Sequence, residues 1–357
     1  MRTTPHDTIA QRALALAETG RHQEAAALFA RHLAADPTDT MSWSLLAHCR
    51  RELGDPEGAL DATDQGLRYD PTDAYVWRIR ALTLLTLERH ADAVDAAAEA
   101  VRLAPGGWAT HNAHARALAT VPGGLPAARA AALRSTELAP QEPQAHFTLG
   151  YVAQASGDHQ TAARSYRTVL RLNPQHAEAR NNLGTLKLNG RRNRGQFGAA
   201  QDFAASLATD PQSSAAQHNV LVVALRVLTT ARRLTVWCLL GAPALRWYLG
   251  GARLDGPAPS AALQPRLAAL AAIALVWACW AWSTRRRLPR ALRDPMWAML
   301  LRDRRFATSA FGILVAMLGA IAALTLPQLS TVELAAIFLG GLVPLSLTPK
   351  TGGRKTQ

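Results

Sequence analysis

Residues 36–71 read DPTDTMSWSLLAHCRRELGDPEGALDATDQGLRYDP, and the stretch closes on the pair with which it opens. The prolines of Asp36-Pro37 and Asp70-Pro71 stand 34 residues apart. Outward from them, a dipeptide ending in Pro returns at Ala104-Pro105, Ala139-Pro140, Asn173-Pro174 and Asp210-Pro211. The successive spacings are 34, 34, 35, 34 and 37 residues. A fixed period in this range is the signature of a stacked array of small supersecondary units, none of which buries its apolar face alone.

With each proline placed at position 32 of its unit, position 20 is Ala25, Ala59, Ala93, Ala128, Ala162 and Ala199. Position 8 is Ala13, Ala47, Ala81, Ala115, Gly150 and Gly184. Trp43 and Trp77 hold position 4, Phe29, Tyr166 and Phe203 hold position 24, and Gly20, Gly54 and Gly157 fall near position 15. In period and in these residues the chain resembles the tetratricopeptide repeat family over residues 6–226. The resemblance implies two antiparallel helices per repeat, with small residues where the helices approach and aromatic residues in the gaps between repeats. Proline after the second helix supplies no N–H and stops it. Two departures are local: Pro122-Gly123-Gly124 makes the turn of the fourth repeat irregular, and three extra residues enter the sixth near 191–195. Residues 213–225 read as a final helix closing the stack, as solenoids require.

The family binds extended or helical peptides on its first helices, and alignment places candidate positions there. They are Met41, Ser44, His48 and Arg51 in repeat two, Tyr75, Arg78 and Leu82 in repeat three, Phe147, Tyr151 and Gln154 in repeat five, and Asn181, Asn182 and Thr185 in repeat six. The set reads as neutral, aromatic and amide-bearing. It lacks the Lys, Arg and Asn cluster with which some members clamp a terminal carboxylate. An amide such as Asn182 supplies both donors and an acceptor for a peptide backbone.

The 357 residues carry a formal charge of +13, and that charge is unevenly spread. Up to Arg226 there are 23 basic and 22 acidic residues; from Val227 there are 16 and 4, with six of the nine Trp. Residues 267–283 and 306–326 are uncharged, and 329–347 contains Glu333 as its only charge. A bilayer span takes about 17–25 apolar residues, so all three read as spans, and 234–251 as a fourth despite Pro243 and Arg246. A buried core hairpin is the competing reading. Residues 285–305 hold eight Arg and two Asp, and Lys350, Arg354 and Lys355 follow the last segment. The positive-inside rule places both stretches in the cytoplasm, and with four spans the repeats lie there too. Arg285, Arg286, Arg287, Arg302, Arg304 and Arg305 are therefore candidates for topology and for anionic lipid. They are not read as a nucleic-acid site, because the charge follows the membrane edges and no nucleic-acid-binding motif accompanies it.

The expected architecture is all-α. A helix-turn-helix solenoid of about six repeats plus a capping helix (6–226) precedes a helical region of three to four transmembrane spans (227–349) and a basic tail (350–357). No signal peptide is expected from the N-terminal residues. Cys49, Cys238 and Cys279 are distant from one another, with no CxxC pair, so neither a disulfide framework nor a thiolate zinc site is indicated. No catalytic constellation is present by motif, and the pair His111 and His114 lacks further ligands for a metal. The functional expectation is a multi-pass cell-membrane protein, not an enzyme and without cofactor. It presents a cytoplasmic repeat groove to a protein or peptide. The alternative is a regulatory or structural component of a membrane transport or membrane-enzyme complex. The oligomeric state is not legible.

Overall fold

The 34-residue period is realised as pairs of antiparallel helices. The computed structural model describes residues 5–189, 195–251 and 263–292. Their helices begin with five pairs: α1 (Pro5–Glu18) with α2 (His22–Ala35), α3 (Thr40–Glu52) with α4 (Pro56–Tyr69), α5 (Ala74–Thr86) with α6 (His90–Leu103), α7 (Trp108–Leu118) with α8 (Leu125–Leu138), and α9 (Pro143–Ala155) with α10 (His159–Leu172). There follow α11 (Ala177–Asn189), α12 (Gly195–Thr209), α13 (Ser214–Gly251) and α14 (Leu263–Arg287). The chain forms two compact units, Met1–Ala179 and Arg180–Gln357.

Local chemistry sets the helix ends. Asp39, Asp55, Asp73, Glu142 and Asp158 cap the helices that follow them, each side chain accepting a backbone N–H of the first turn. These carboxylates satisfy donors that the helix itself leaves free, and they sit at the positive end of its dipole. At each of the first two repeat junctions the Asp36 and Asp70 carboxylates also fold back onto the N–H of Thr38 and Thr72. Between the helices of a pair the chain passes through a left-handed residue: Gly20, Gly54, Gly123 and Gly157 at φ 75–78°, and Glu88 at φ 58°. Glu88 occupies the position where the other repeats use glycine and bears the steric penalty of its Cβ.

The small-residue positions lie where the helices touch. Ala25, Ala59, Ala93, Ala128, Ala162 and Ala199 are all fully buried, as are Ala13, Ala47, Ala81 and Ala115. Repeat five exchanges volume between partners. Position 8 is Gly150, and a Cβ there would lie 2.7 Å from Cε1 of the fully buried Tyr166. Repeats two, three and four make the opposite choice, with Ala at position 8 facing small residues at position 24 (Thr63, Ala97 and Ala132), all buried.

Position 4 stitches neighbouring repeats together by one recurring bond. Trp43 Nε1 donates to the Pro37 carbonyl and Trp77 Nε1 to the Pro71 carbonyl, both at 2.8 Å. His111 Nε2 and His146 Nε2 lie 2.9 Å from the carbonyls of Pro105 and Pro140. His111 therefore belongs to the repeat junction, where the ring partners the carbonyl of the proline that ended the preceding helix.

In the first unit the first helices of successive repeats pack side by side, α1 with α3, α3 with α5, α5 with α7 and α7 with α9. Each second helix packs most heavily on the first helix of its own pair and next on the first helix of the following repeat. Crowding on one side and spacing on the other bend the ribbon, so the inner face of this unit is built from α1, α3, α5, α7 and α9.

The second unit has its own core: Leu188, Ala199, Ala200, Phe203, Val220, Val223, Ala224, Val227, Leu288 and Leu292. A Cβ at Gly184 would come within 2.6 Å of Phe203, the same exchange as in repeat five. The capping helix differs from expectation. Residues 213–225 are only the beginning of α13, which is 38 residues long and crosses the expected boundary at 226–227 without interruption. No Gly or Pro lies between 214 and 240 to stop it, and the helix continues through Gly241-Ala242-Pro243.

Segments 234–251 and 267–283 lie within α13 and α14. Among the described residues no helix is long and apolar enough to cross a membrane. Arg226, Arg232, Arg233 and Arg246 interrupt the apolar run of α13, and Arg266 and Arg285 bound the uncharged run of α14. Leu288 and Leu292, expected in a membrane-edge loop, are instead buried in the core of the second unit. Segments 306–326 and 329–347, Arg302, Arg304, Arg305 and the tail 350–357 lie outside the described residues.

Candidate functional site

The inner face of the first unit carries most of the candidate residues, and the structure sorts them into three groups. Met41 and Tyr151 are open, 51% and 45% exposed. His48, Arg51, Tyr75, Arg78, Phe147 and Gln154 are half-buried. Ser44 and Leu82 are buried and offer nothing to a ligand. Ser44 donates to the Met41 carbonyl of its own helix at 2.8 Å, and Leu82 is enclosed by the packing of α5.

In the second unit, Asn181 is also buried, because α13 covers it. Asn219 Nδ2 donates to Asn181 Oδ1 at 2.9 Å and to Thr185 Oγ1 at 3.3 Å. Arg226 on the same helix donates to the Leu188 carbonyl. Asn181 and Thr185 thus hold the covering helix. Asn182 is half-buried and has interactions of its own.

A cavity of about 330 Å³ opens on the inner face of the first unit, lined by Leu85, Arg116, Thr120, Gln144, Phe147, Thr148, Tyr151 and Glu178. Its aromatic wall is rigid. Phe147 stacks on His176 with ring centres 4.9 Å apart and tilts against Tyr166 at 5.8 Å. The Tyr166 hydroxyl donates to Gln154 Oε1 at 3.1 Å, so Gln154 braces the wall from behind. At the floor, Asn112 Nδ2 donates to the Gln144 carbonyl and to Thr148 Oγ1, fixing α7 against α9.

Arg116 was not among the sequence candidates. It sits at position 9 of repeat four, the position of His48, Leu82 and Tyr151, so the same alignment finds it once the irregular repeat is included. With Arg51 on α3 and Arg78 on α5 it places a half-buried arginine from each of three successive helices on the inner face, whereas Arg50 and Arg80 turn to the Gly58 carbonyl and Asp64 of α4. This corrects the neutral character expected for the face. Burial lowers the Arg116 pKa from the ordinary arginine value, and the positive charge of Arg51 acts the same way, against Glu178 and Tyr151. Burial likewise lowers that of Arg78, reinforced by Arg51 and opposed by Tyr75. Arginine stays protonated nonetheless, so the cost appears as a standing positive potential. The guanidinium of Arg78 lies 4.5 Å over the Tyr75 ring, a contact that partly replaces lost water. Arg51 contacts Glu52 at 2.7 Å and His48 Nδ1 at 3.4 Å, and its Nε is buried with no hydrogen-bond partner. His48 is held below its ordinary value first by burial and then by Arg51, with Glu52 opposing.

Among the described residues, no group of His, Cys, Asp and Glu is placed to hold a metal ion. Cys49 is buried, and burial pushes its thiol up to about 11. That leaves it unreactive near neutral pH.

In class, this is an α-helical repeat protein with a bent inner face and an aromatic cavity in it. More particularly, the chain carries tetratricopeptide repeats, and family profiles of that description match residues 16–82 and 147–214. No curated protein matches it. The fold is similar to that of the APC/C hetero-tetramer Cut9-Hcn1 (TM-score 0.54, 15% identity, covering 60% of this chain and 42% of that one). It is also similar to PilW, described as a type IV pilus biogenesis factor (TM-score 0.51, 18% identity, 61% and 99%). A third similar structure is a thermophilic TPR protein of Thermus thermophilus (TM-score 0.48, 20% identity, 52% and 99%).

Proposed function

We propose that this chain is a membrane-attached scaffold whose repeats hold a protein or peptide partner on the inner face of the first unit. Tetratricopeptide repeats act as protein-interaction scaffolds. The observation that carries the placement is the cavity at Phe147 and Tyr151 with polar groups (Gln144, Thr148, Arg116) among its lining residues. A concave, partly apolar site with a few converging polar groups is what a binding site requires. Membrane attachment is supported by α14, which exposes Leu275, Val276 and Trp282 (44–66%) on uncharged turns that end at Arg285, Arg286 and Arg287. Arg286 lies 4.0 Å over the Trp282 ring, an aromatic and basic pairing suited to a headgroup interface. The excess of basic over acidic residues beyond Val227 supports a cytoplasmic location for the repeats and the C-terminus of a cell-membrane protein.

The partner reading is tested by crosslinking the full-length chain in its native membrane and capturing it, beside Tyr151→Ala and a 227–357 control. A partner lost in both comparisons supports the inner face. One retained by 227–357 moves the function out of the repeats. The membrane reading is tested at Cys279, which is exposed on α14. An aqueous maleimide is expected to leave it unlabelled in intact membranes and to label it after denaturation; rapid labelling in membranes refutes attachment through this helix.

A further inference from the structure

We infer that the inner face of the first unit receives an extended acidic segment of a partner protein. Its carboxylates pair with Arg51, Arg78 and Arg116, and one apolar side chain enters the cavity between Phe147 and Tyr151. The inference rests on the peptide-binding reading above and specifies the chemistry of the partner.

The pairing of charges within the unit carries it. Six arginines elsewhere in the unit pair with carboxylates: Arg21 with Glu24, Arg80 with Asp64, Arg89 with Asp92, Arg102 with Glu99, Arg129 with Asp158 and Arg134 with Glu137. The half-buried Arg50 reaches the Gly58 carbonyl, and arginines without a carboxylate such as Arg31 and Arg167 are exposed to water. On the inner face the arginines are half-buried and lack such partners. Among the described residues neither Arg78 nor Arg116 forms an ion pair, and Arg51 has only its neighbour Glu52 while its Nε stays unpartnered. Half-buried cations side by side cost free energy unless an anion joins them. An incoming carboxylate meets a guanidinium fork that is already partly stripped of water.

The geometry sets a length. Packed helices lie about 8–10 Å apart, so three successive inner helices span about 20 Å. An extended chain crosses that distance in about six residues at roughly 3.3 Å each. A segment of this length with several acidic residues therefore spans the three arginines, and a Leu at one end reaches the cavity between α7 and α9. The chain's own C-terminal part is the wrong occupant, since from Val227 onward it has 16 basic residues against 4 acidic ones.

The test is fluorescence anisotropy on the full-length chain with an amidated peptide of about twelve residues carrying Glu at every third position and one Leu. Its counterpart has Gln at each Glu. The Glu peptide is expected to bind at least tenfold more tightly than the Gln peptide and to weaken as salt rises. Arg78→Gln with Arg116→Gln is expected to lose at least tenfold, Arg78→Lys with Arg116→Lys to retain most of the affinity, and Arg285→Gln, Arg286→Gln and Arg287→Gln together to change nothing. The Glu-to-Gln exchange in the peptide leaves the protein unaltered and decides the case even where an arginine variant fails to fold. Equal binding of the two peptides overturns the inference. If Tyr151→Ala weakens both equally, the inner-face reading survives that result. Loss of binding in the 285–287 variant, or a single-stranded oligonucleotide that binds more tightly than the Glu peptide, overturns it as well.

Discussion

Gly150 in α9 sets two known effects against each other. In an exposed helix, Gly→Ala stabilises by about 1 kcal/mol through backbone entropy. Here the new Cβ would stand 2.7 Å from Cε1, 2.9 Å from Cδ1 and 3.2 Å from Cζ of Tyr166. The ring is fully buried, packed against Phe147 and held at its hydroxyl by Gln154, so it has no free direction in which to yield. Overpacking of this kind costs about 1–3 kcal/mol. Taking the middle of that range, Gly150→Ala is expected to destabilise by about 1 kcal/mol net, a fall of about 2–4 °C in Tm for a unit of this size. Thermal unfolding of the full-length chain followed by circular dichroism measures it. In a double-mutant cycle with Tyr166→Ala the sign should reverse: once the ring is gone, Gly150→Ala becomes stabilising by up to about 1 kcal/mol. A rise in Tm for the single variant, or the same effect with and without the ring, would refute the account of why repeat five has glycine at position 8.

Three further outcomes are expected. Glu88→Gly removes a Cβ from a left-handed residue and should raise stability by up to about 1 kcal/mol, since relieving the steric penalty outweighs the added freedom of the unfolded chain; an unchanged or lower Tm counts against strain at that turn. Asp158 is held down to about 2 by the N–H and hydroxyl of Thr161 and by Arg129. Its folded value is depressed, so its contribution is complete above the ordinary carboxylate range and is lost as pH falls from about 4 towards 2. Asp158→Asn should therefore lower Tm at pH 7 and flatten the acid loss in that window, and an unchanged acid profile would refute it. Asn219→Ala strips the buried Asn181 of its amide partner and is expected to cost about 1–3 kcal/mol; denaturant unfolding with no shift in midpoint would show that α13 is held by its apolar contacts alone.

The inner face was legible in outline and misread in detail. Alignment put Met41, Arg78 and Tyr151 on the first helices, where they are. It also placed Ser44, Leu82 and Asn181 there as ligand contacts, and these are buried. Repeat position gives the direction of a side chain only to within a fraction of a helical turn. Whether that direction ends in solvent, under a neighbouring helix or on its own backbone is set by what packs beside it. Arg116 escaped notice because Pro122-Gly123-Gly124 disturbs the spacing of repeat four, although α7 itself is regular. His111, for which the sequence offered no further metal ligands, has its ring on the Pro105 carbonyl as Trp43 and Trp77 have theirs on those of Pro37 and Pro71.

By itself the sequence determined the repeating helix pair. Proline stops, acidic caps, turn glycines and an Ala at position 20 of every repeat act over a few residues, and their effect does not depend on distant chain. Tertiary structure decided what lies across a helix interface or depends on continuity. It determined that glycine at position 8 faces a large ring at position 24, that α13 runs on through the end of the repeats, and that Leu288 and Leu292 return to a core. It also determined that three arginines far apart in sequence share one partly dehydrated face. The physical reason is the same in each case: burial and the field of a neighbouring charge are properties of the space between helices, and that space exists only once the helices have packed.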